Sequence, residues 1–405
     1  MRAPVRSITR LLGSHPWKRD HARIWWRELR RRRRPEGTFV DPAEHVAAAA
    51  RWLAVAQDVT GDGGVAGRYR LRGGWSSSYP ETTGYVIPTF LALAKGEPTF
   101  KERASRCVGF LLPLQLPNGA FPAGEVAENR TEPSVFNTAQ ILCGLTAWQR
   151  EMGDGRTLEA AERAAEWLHS VQDEDGAWRR FTYGGTASTY YAHAACWLAE
   201  FGALRGNAQD VAAASAFLDW ALARRDPATG WFERSGFPNT HSARTALTHT
   251  LGYTLWGVLH CSKTVQRGDG IRAVREAAGE LARVVRTLGR VPAEIDWRWQ
   301  ARTNYACLTG NAQLAHVWLA LSRHERDPTF LEAAQTALAE VRRAQLVGLS
   351  NPALSGAIPG SDPLWGDYLP ATFPNWAVKF FLDAEHEAHR LRSEPHGPSC
   401  GRRTP

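Results

Sequence analysis

Residues 167–178 read Trp-Leu-His-Ser-Val-Gln-Asp-Glu-Asp-Gly-Ala-Trp. An aromatic-Leu pair ends an Ala-rich amphipathic segment, a Gln follows five residues on, a polar turn contains Gly, and an aromatic residue comes after the turn. Residues 110–121, FLLPLQLPNGAF, repeat that order with Phe110-Leu111, Gln115, Gly119 and Phe121. Trp52-Leu53, Gln57, Gly64 and Val65 make a third copy, and Trp220 with Gly230, Trp231 and Phe232 a degraded one in which Arg225 replaces the Gln. Weaker copies centre on Gly289 with Val291, and on Gln345 with Gly356 and Ile358. These glycines lie 55, 57, 54, 59 and 67 residues apart, and six units of that length predict six helix pairs. In each unit the Gly permits a sharp turn, the Gln bonds free backbone groups of the loop, and the apolar or aromatic residue plugs the joint between pairs.

A second kind of helix follows each turn, over about residues 81–94, 134–148, 188–201, 245–260, 309–321 and 375–384. These segments are apolar on most faces, as inner helices should be, but their first turns are rich in polar groups. The pattern predicts an all-α chain, a single (α/α)6 toroid over residues 41–390, with a basic arm at 1–40 and a disordered tail at 391–405. In a toroid the six inner-helix beginnings share one end. Their free N–H groups and positive dipole ends then favour anionic ligand groups in a central funnel.

The charge of +8 is carried by the arm. Residues 1–34 hold 12 Lys and Arg against Asp20 and Glu28, which leaves the rest of the chain near neutral at −2. That argues against a specific nucleic-acid site on the body. The run Arg30 to Arg34, with Trp17, Trp25 and Trp26, fits either a solvated arm or contact with an anionic membrane surface or polyanion. No stretch reads as a signal peptide or a membrane span, so a cytoplasmic protein, peripheral to the membrane if the arm binds it, is the default expectation. Cys107, Cys143, Cys196, Cys261, Cys307 and Cys400 lack paired spacing, as expected of reduced thiols, mostly buried; no metal or other cofactor is expected.

Residues 167–178 resemble the Gln-Trp repeat of squalene cyclases, and 110–121 are similar. The resemblance covers roughly residues 41–385 and implies the toroid of terpenoid cyclases and protein prenyltransferases, with their inner and outer helix rings. The chain departs from both. It has room for one toroid and lacks the acid motif of the cyclases, and Cys307 with His316, the nearest match to a prenyltransferase zinc set, do not share a helix face. Toroids of this shape also serve polysaccharide lyases, glycoside hydrolases and uronyl epimerases, and the phrases YPETTGYVIP (79–88), TGNAQ (309–313) and GDYLPATFPNW (366–376) look like bacterial proteins associated with sugar polymers.

The polar starts of the inner helices suit a saccharide substrate, preferably an acidic oligo- or polysaccharide, processed by a lyase, hydrolase or epimerase. The alternatives are a terpenoid-cyclase or prenyltransferase-like enzyme and a non-catalytic binding toroid. His249 with Tyr253, four apart, and Tyr190 with His193, three apart, each share a helix face and are candidate proton donors and acceptors, against the plainer reading of hydrogen-bonded core His. Asn137, Asn239 or Arg244 then neutralises a uronate carboxylate. Among mouth acids, which include Asp296 and Asp362, Glu81 and Asp367 are the catalytic candidates; two carboxylates are what a glycosidase needs. His241, Arg302, Asn311 and Asn375 are further candidate binding residues. Of the mouth aromatics Trp75, Tyr79, Trp297, Trp299, Trp365 and Trp376, the candidate stacking platforms are Trp75, Trp365 and Trp376, with about half of the set expected to be structural. Asp58, Asp62, Asp173 and Asp175 sit in Gly-rich turns, either as turn formers or as calcium ligands.

Overall fold

The computed structural model describes residues 19–33, 41–325 and 327–393. An arm helix α1 (Arg19–Arg33) precedes twelve helices that alternate in two rings. The outer ring is α2 (Pro42–Asp58), α4 (Thr99–Leu111), α6 (Gly155–Ser170), α8 (Ala208–Leu222), α10 (Gly268–Leu288) and α12 (Pro328–Ala344). The inner ring is α3 (Pro80–Ala94), α5 (Val135–Met152), α7 (Ala192–Arg205), α9 (Thr248–Thr264), α11 (Leu308–Glu325) and α13 (Asn375–Ser393). Each inner helix packs on the next, and α13 returns to α3, so the inner ring closes. Outer helices are amphipathic and several are started by side-chain caps, from Asp41, Asp154, Asn207 and Asp327. The inner helices α3, α7 and α9 have no side-chain cap; at α9 the Thr248 N–H donates to Ala293 O at 2.8 Å, and a 3-10 turn over Thr189–Tyr191 leads into α7 and takes the Ala192 N–H.

The repeat's Gln does what its spacing implies. Gln172 Nε2 donates to Gly176 O at 2.7 Å in its own turn and to Ala213 O at 2.8 Å on the next outer helix. Gln115 does the same with Gly119 and Ala160, and Gln57 with Gly63 and Arg103. Gln345 reaches Gly356 O and His45 O, which ties the last unit to the first outer helix. The plugs Val65, Phe121, Trp178, Trp231, Val291 and Ile358 are fully buried.

Two repeat glycines are reassigned. Gly63, not Gly64, is the turn glycine of the first unit: it has φ +91°, and a Cβ there would lie 2.9 Å from Arg106 O, as Gly176 at φ +84° would meet Ala216 O at 2.5 Å. Gly289 is the left-handed C-cap of α10, and the following plug, Val291, instead donates its N–H to Glu340 Oε2 from the next outer helix at 3.0 Å.

Short strands stitch the mouth loops of neighbouring units. β1 (Arg68–Arg70) pairs antiparallel with β2 (Gly74–Trp75) and with β7 (Thr372–Pro374), joining the first loop to the last. β3 (Thr245–Leu247) pairs with β4 (Glu294–Asp296), and β5 (Ala306–Cys307) with β6 (Ser361–Asp362). The segment expected to start a helix at 245 is therefore strand for three residues, and α9 begins at Thr248. The arm is docked: Trp25 stacks on Trp365 at 5.7 Å between centroids, and Arg27 Nη2 donates to Gln345 O at 2.7 Å. Residues 1–18, 34–40 and 394–405, including Trp17, Arg34, Cys400 and most of the expected tail, lie outside the described set. No helix among the described residues is long and apolar enough to cross a membrane.

Candidate functional site

A chamber of about 670 Å³ opens at the mouth. Its walls come from the starts of the inner helices: Tyr79, Glu81 and Tyr85 at α3, Phe136 and Asn137 on α5, Tyr190 and Tyr191 in the turn before α7, His249 and Tyr253 on α9, and Trp376 on α13. Tyr368 closes one side, and the 123–133 and 181–184 loops form the rim.

Glu81 is the inward carboxyl of this chamber. Burial among aromatic rings pushes it up to about 7, against the hydrogen bond that Tyr79 OH donates to its Oε2 at 2.6 Å and the attraction of Arg68, both of which favour the ionised form. The other lining carboxylates, Glu128 and Glu132, sit exposed on the rim. A carboxyl poised near neutrality carries a proton in either direction.

Burial holds His249 at about 4, so its ring is neutral near pH 7. Its Nδ1 lies 2.8 Å from Gln313 Oε1, and since that oxygen only accepts, Nδ1 carries the proton and Nε2 keeps its lone pair. Tyr253 packs against His249 at 4.6 Å and His193 at 4.5 Å between ring centroids, and burial pushes its hydroxyl well up, so it serves as a donor. Trp376 Nε1 donates to Tyr368 OH at 2.9 Å, and the Arg68 guanidinium lies 5.6 Å from the Trp376 ring. Arg68 is ion-paired with Glu125 through Nη2, while its buried Nε has no partner.

The sequence-predicted set divides. Glu81, His249, Tyr253, Tyr190, Asn137 and Trp376 share the chamber. His193 does not line it; its ring backs onto Tyr253 and faces a second cavity behind. Asp367 is exposed and outside the walls, as are Asn239 and Arg244, the last lying over Trp297 at 4.6 Å. His241 is held by Thr240, and Arg302 by Asp296 at 3.8 Å, both away from the chamber. Asn311 is buried on Glu340 at 2.7 Å, and Asn375 on Ala66 O and Thr82 Oγ1, as core bonds between helices. Trp75 packs on Trp52, and Trp365 is covered by Trp25, so neither is a platform in the chamber.

Asn311 and Asn375 miss for a shared reason. Polar first-turn residues are consumed in stitching repeats: Thr83 Oγ1 accepts Val65 N–H at 3.0 Å and Thr138 Oγ1 accepts Phe121 N–H at 2.9 Å. Even Asn137 gives its Nδ2 to Pro122 O. The turn acids are likewise taken by arginines, Asp58 by Arg103 and Arg106, and Asp173 and Asp175 by Arg179. Among the described residues no His, Cys, Asp and Glu group has metal-site geometry. Arg68 and Tyr85 were not singled out from the sequence, and the alternating Arg68, Arg70, Arg72 before Gly73-Gly74 is a hairpin signal that points to the first of them.

No protein-family model and no curated protein matches the chain. Among solved structures it is similar to an unsaturated glucuronyl hydrolase specific for heparin, with TM-score 0.69 and 15% identity over 86% of this chain and 97% of that one. The fold is that of the (α/α)6 toroids. Similar too are a cellobiose 2-epimerase from Bacillus thermoamylovorans (TM-score 0.66, 13% identity, 84% of this chain and 97% of that one) and a polysaccharide lyase (TM-score 0.62, 12% identity, 88% and 99%). Identity this low carries architecture and not activity.

Proposed function

We propose that this toroid is a saccharide-processing enzyme of the lyase, hydrolase or epimerase kind, acting on an acidic oligo- or polysaccharide in the mouth chamber. The observation that carries the reading is Glu81, a half-buried carboxyl poised at about 7 among aromatic rings, in the same chamber as the neutral His249. Glu81 is the proton donor to the sugar. His249 Nε2 takes the proton from the sugar carbon while Glu81 gives its proton to the departing oxygen, and Tyr253 donates a hydrogen bond. Arg68, beside the Trp376 wall and paired with Glu125, adds positive charge near Glu81 to that of the inner-helix ends, which favours a substrate carboxylate. One inward carboxyl favours proton transfer at a sugar carbon over a two-carboxylate glycosidase.

The test is incubation with a panel of uronate-containing and neutral oligosaccharides, read by mass, reducing ends and the ultraviolet band of a C4–C5 double bond. Turnover confined to uronate substrates supports the reading. Stabilisation by isoprenoid diphosphates alone would overturn it and favour the second reading, a prenyl-type enzyme, which the aromatic walls of the same chamber suit.

For the arm, we propose contact with an anionic membrane surface. Trp26 is 58% exposed and Leu29 48% exposed on the outward face of α1, within a strongly basic segment. Co-sedimentation with phosphatidylserine vesicles that is lost in a chain lacking residues 1–34 supports this; equal pelleting of the two chains contradicts it.

A further inference from the structure

The larger cavity, of about 1080 Å³, lies at the opposite end, where the inner helices finish. A partition of side chains separates it from the mouth chamber: Tyr253 lines the front, His193 the rear, and Phe380 packs against both at 5.7 and 6.4 Å.

The rear cavity has two parts. Its outer part is a slot in which Val46, Ala47 and Ala50 of α2 accompany Pro88, Ala92 and Leu93 of α3. This is the seam of the ring. Every other inner helix continues through a short turn into the outer helix it packs against, but α13 and α2 stand at opposite ends of the repeat and meet without a connection. Small side chains on α2 leave that joint unfilled.

Its deep part is polar, with the charges internally matched. Lys379 Nζ pairs with Asp383 at 2.6 Å, and Asp383 also accepts from Thr89. Arg150 and His260 both bond Glu200, at 2.7 and 2.8 Å; burial pushes that carboxyl up, but the two bonds outweigh it and hold it at about 2. An ionic head group reaching the inner part would find Lys379, Asp383, Arg150 and Glu200 already paired with one another or with His260. A hydroxyl or amide would find partners. His193 is 1% exposed and its Nδ1 has no hydrogen bond. Gln313 lines the cavity with its carbonyl oxygen held by His249, which leaves its amide N–H donors to the rear.

We propose that the rear cavity binds a neutral amphiphile, with its hydrocarbon chain in the seam slot and a hydroxylated head against His193 and Gln313. The inference is independent of the reading of the mouth chamber. It assigns the fold a lipid-like ligand as well as a saccharide, at opposite ends of one ring.

Three probes share a twelve-carbon chain and differ in the head: monolauroylglycerol, laurate and dodecyltrimethylammonium. Native mass spectrometry and titration calorimetry on the full chain, below micelle-forming concentrations, should give one-to-one binding of monolauroylglycerol at least tenfold tighter than either ion. Ala47→Phe and Ala92→Phe, each filling the slot from a different helix, should weaken that binding at least tenfold with unchanged far-ultraviolet dichroism. Absence of monolauroylglycerol binding, equal binding of an ionic probe, or undiminished binding by a folded slot variant overturns the proposal; should the variants not fold, the head-group series on the natural chain decides it.

Discussion

Replacing Gln345 with Ala tests how the ring is closed. Gln345 is fully buried, and its amide nitrogen donates to His45 O at 3.1 Å and Gly356 O at 3.0 Å while its oxygen meets His45 Nδ1 at 2.6 Å. The alanine removes three bonds between the last turn and the first outer helix and leaves buried groups unsatisfied. At about 1 kcal/mol for each, the loss is about 3 kcal/mol. With an unfolding entropy of ~2.1 cal/mol/K per residue over the ~350 residues of the toroid, that is a fall of about 4 °C in Tm. The assay is thermal and urea unfolding beside Gln209→Ala, an exposed position on α8 expected to stay within about 0.5 kcal/mol of the natural chain. If Gln345→Ala unfolds together with Gln209→Ala, the Gln does not close the ring.

Other outcomes follow from the same geometry. Gly176→Ala combines a left-handed backbone with a Cβ 2.5 Å from Ala216 O and should cost roughly 2–3 kcal/mol in urea unfolding, whereas Gly279→Ala, in mid-helix with open space around it, should add about 0.5–1 kcal/mol. Gln313→Ala removes the acceptor that fixes the His249 tautomer and should lower kcat roughly 10–100-fold with Tm measured in parallel to separate a stability effect. Because burial raises Glu81 in the folded chain, its contribution to stability falls as pH rises from the ordinary carboxylate range to about 7; the stability of Glu81→Gln relative to the natural chain should increase across that window in urea titrations.

The scaffold was legible because its signal repeats. Gln57, Gln115, Gln172 and Gln345 recur at matching places, and each bonds its own turn and the next outer helix. The degraded fourth and fifth units were harder to read, since Arg225 and Glu340 take over with different chemistry, Arg225 paired to Glu276 and Glu340 bonded to Val291. The site was legible only in part. Helical spacing put His249 and Tyr253 on one face, but it could not tell an inward Asn from one such as Asn311 or Asn375 that bonds a neighbouring helix. Arg68 approaches the Trp376 wall of the chamber from a strand of the first loop that pairs with the last loop, a contact across about 300 residues that no local pattern encodes.

The most direct measurement is the pH dependence of kcat/KM on a uronate-containing oligosaccharide, for the natural chain and for Glu81→Gln. With Glu81 active when protonated and His249 when neutral, the profile should be bell-shaped, with limbs near pH 4 and pH 7, and Glu81→Gln should lose at least a hundredfold in rate together with the upper limb. A profile that stays level through pH 7, or a Glu81→Gln enzyme as fast as the natural one, would contradict the assignment of the chemistry to this chamber.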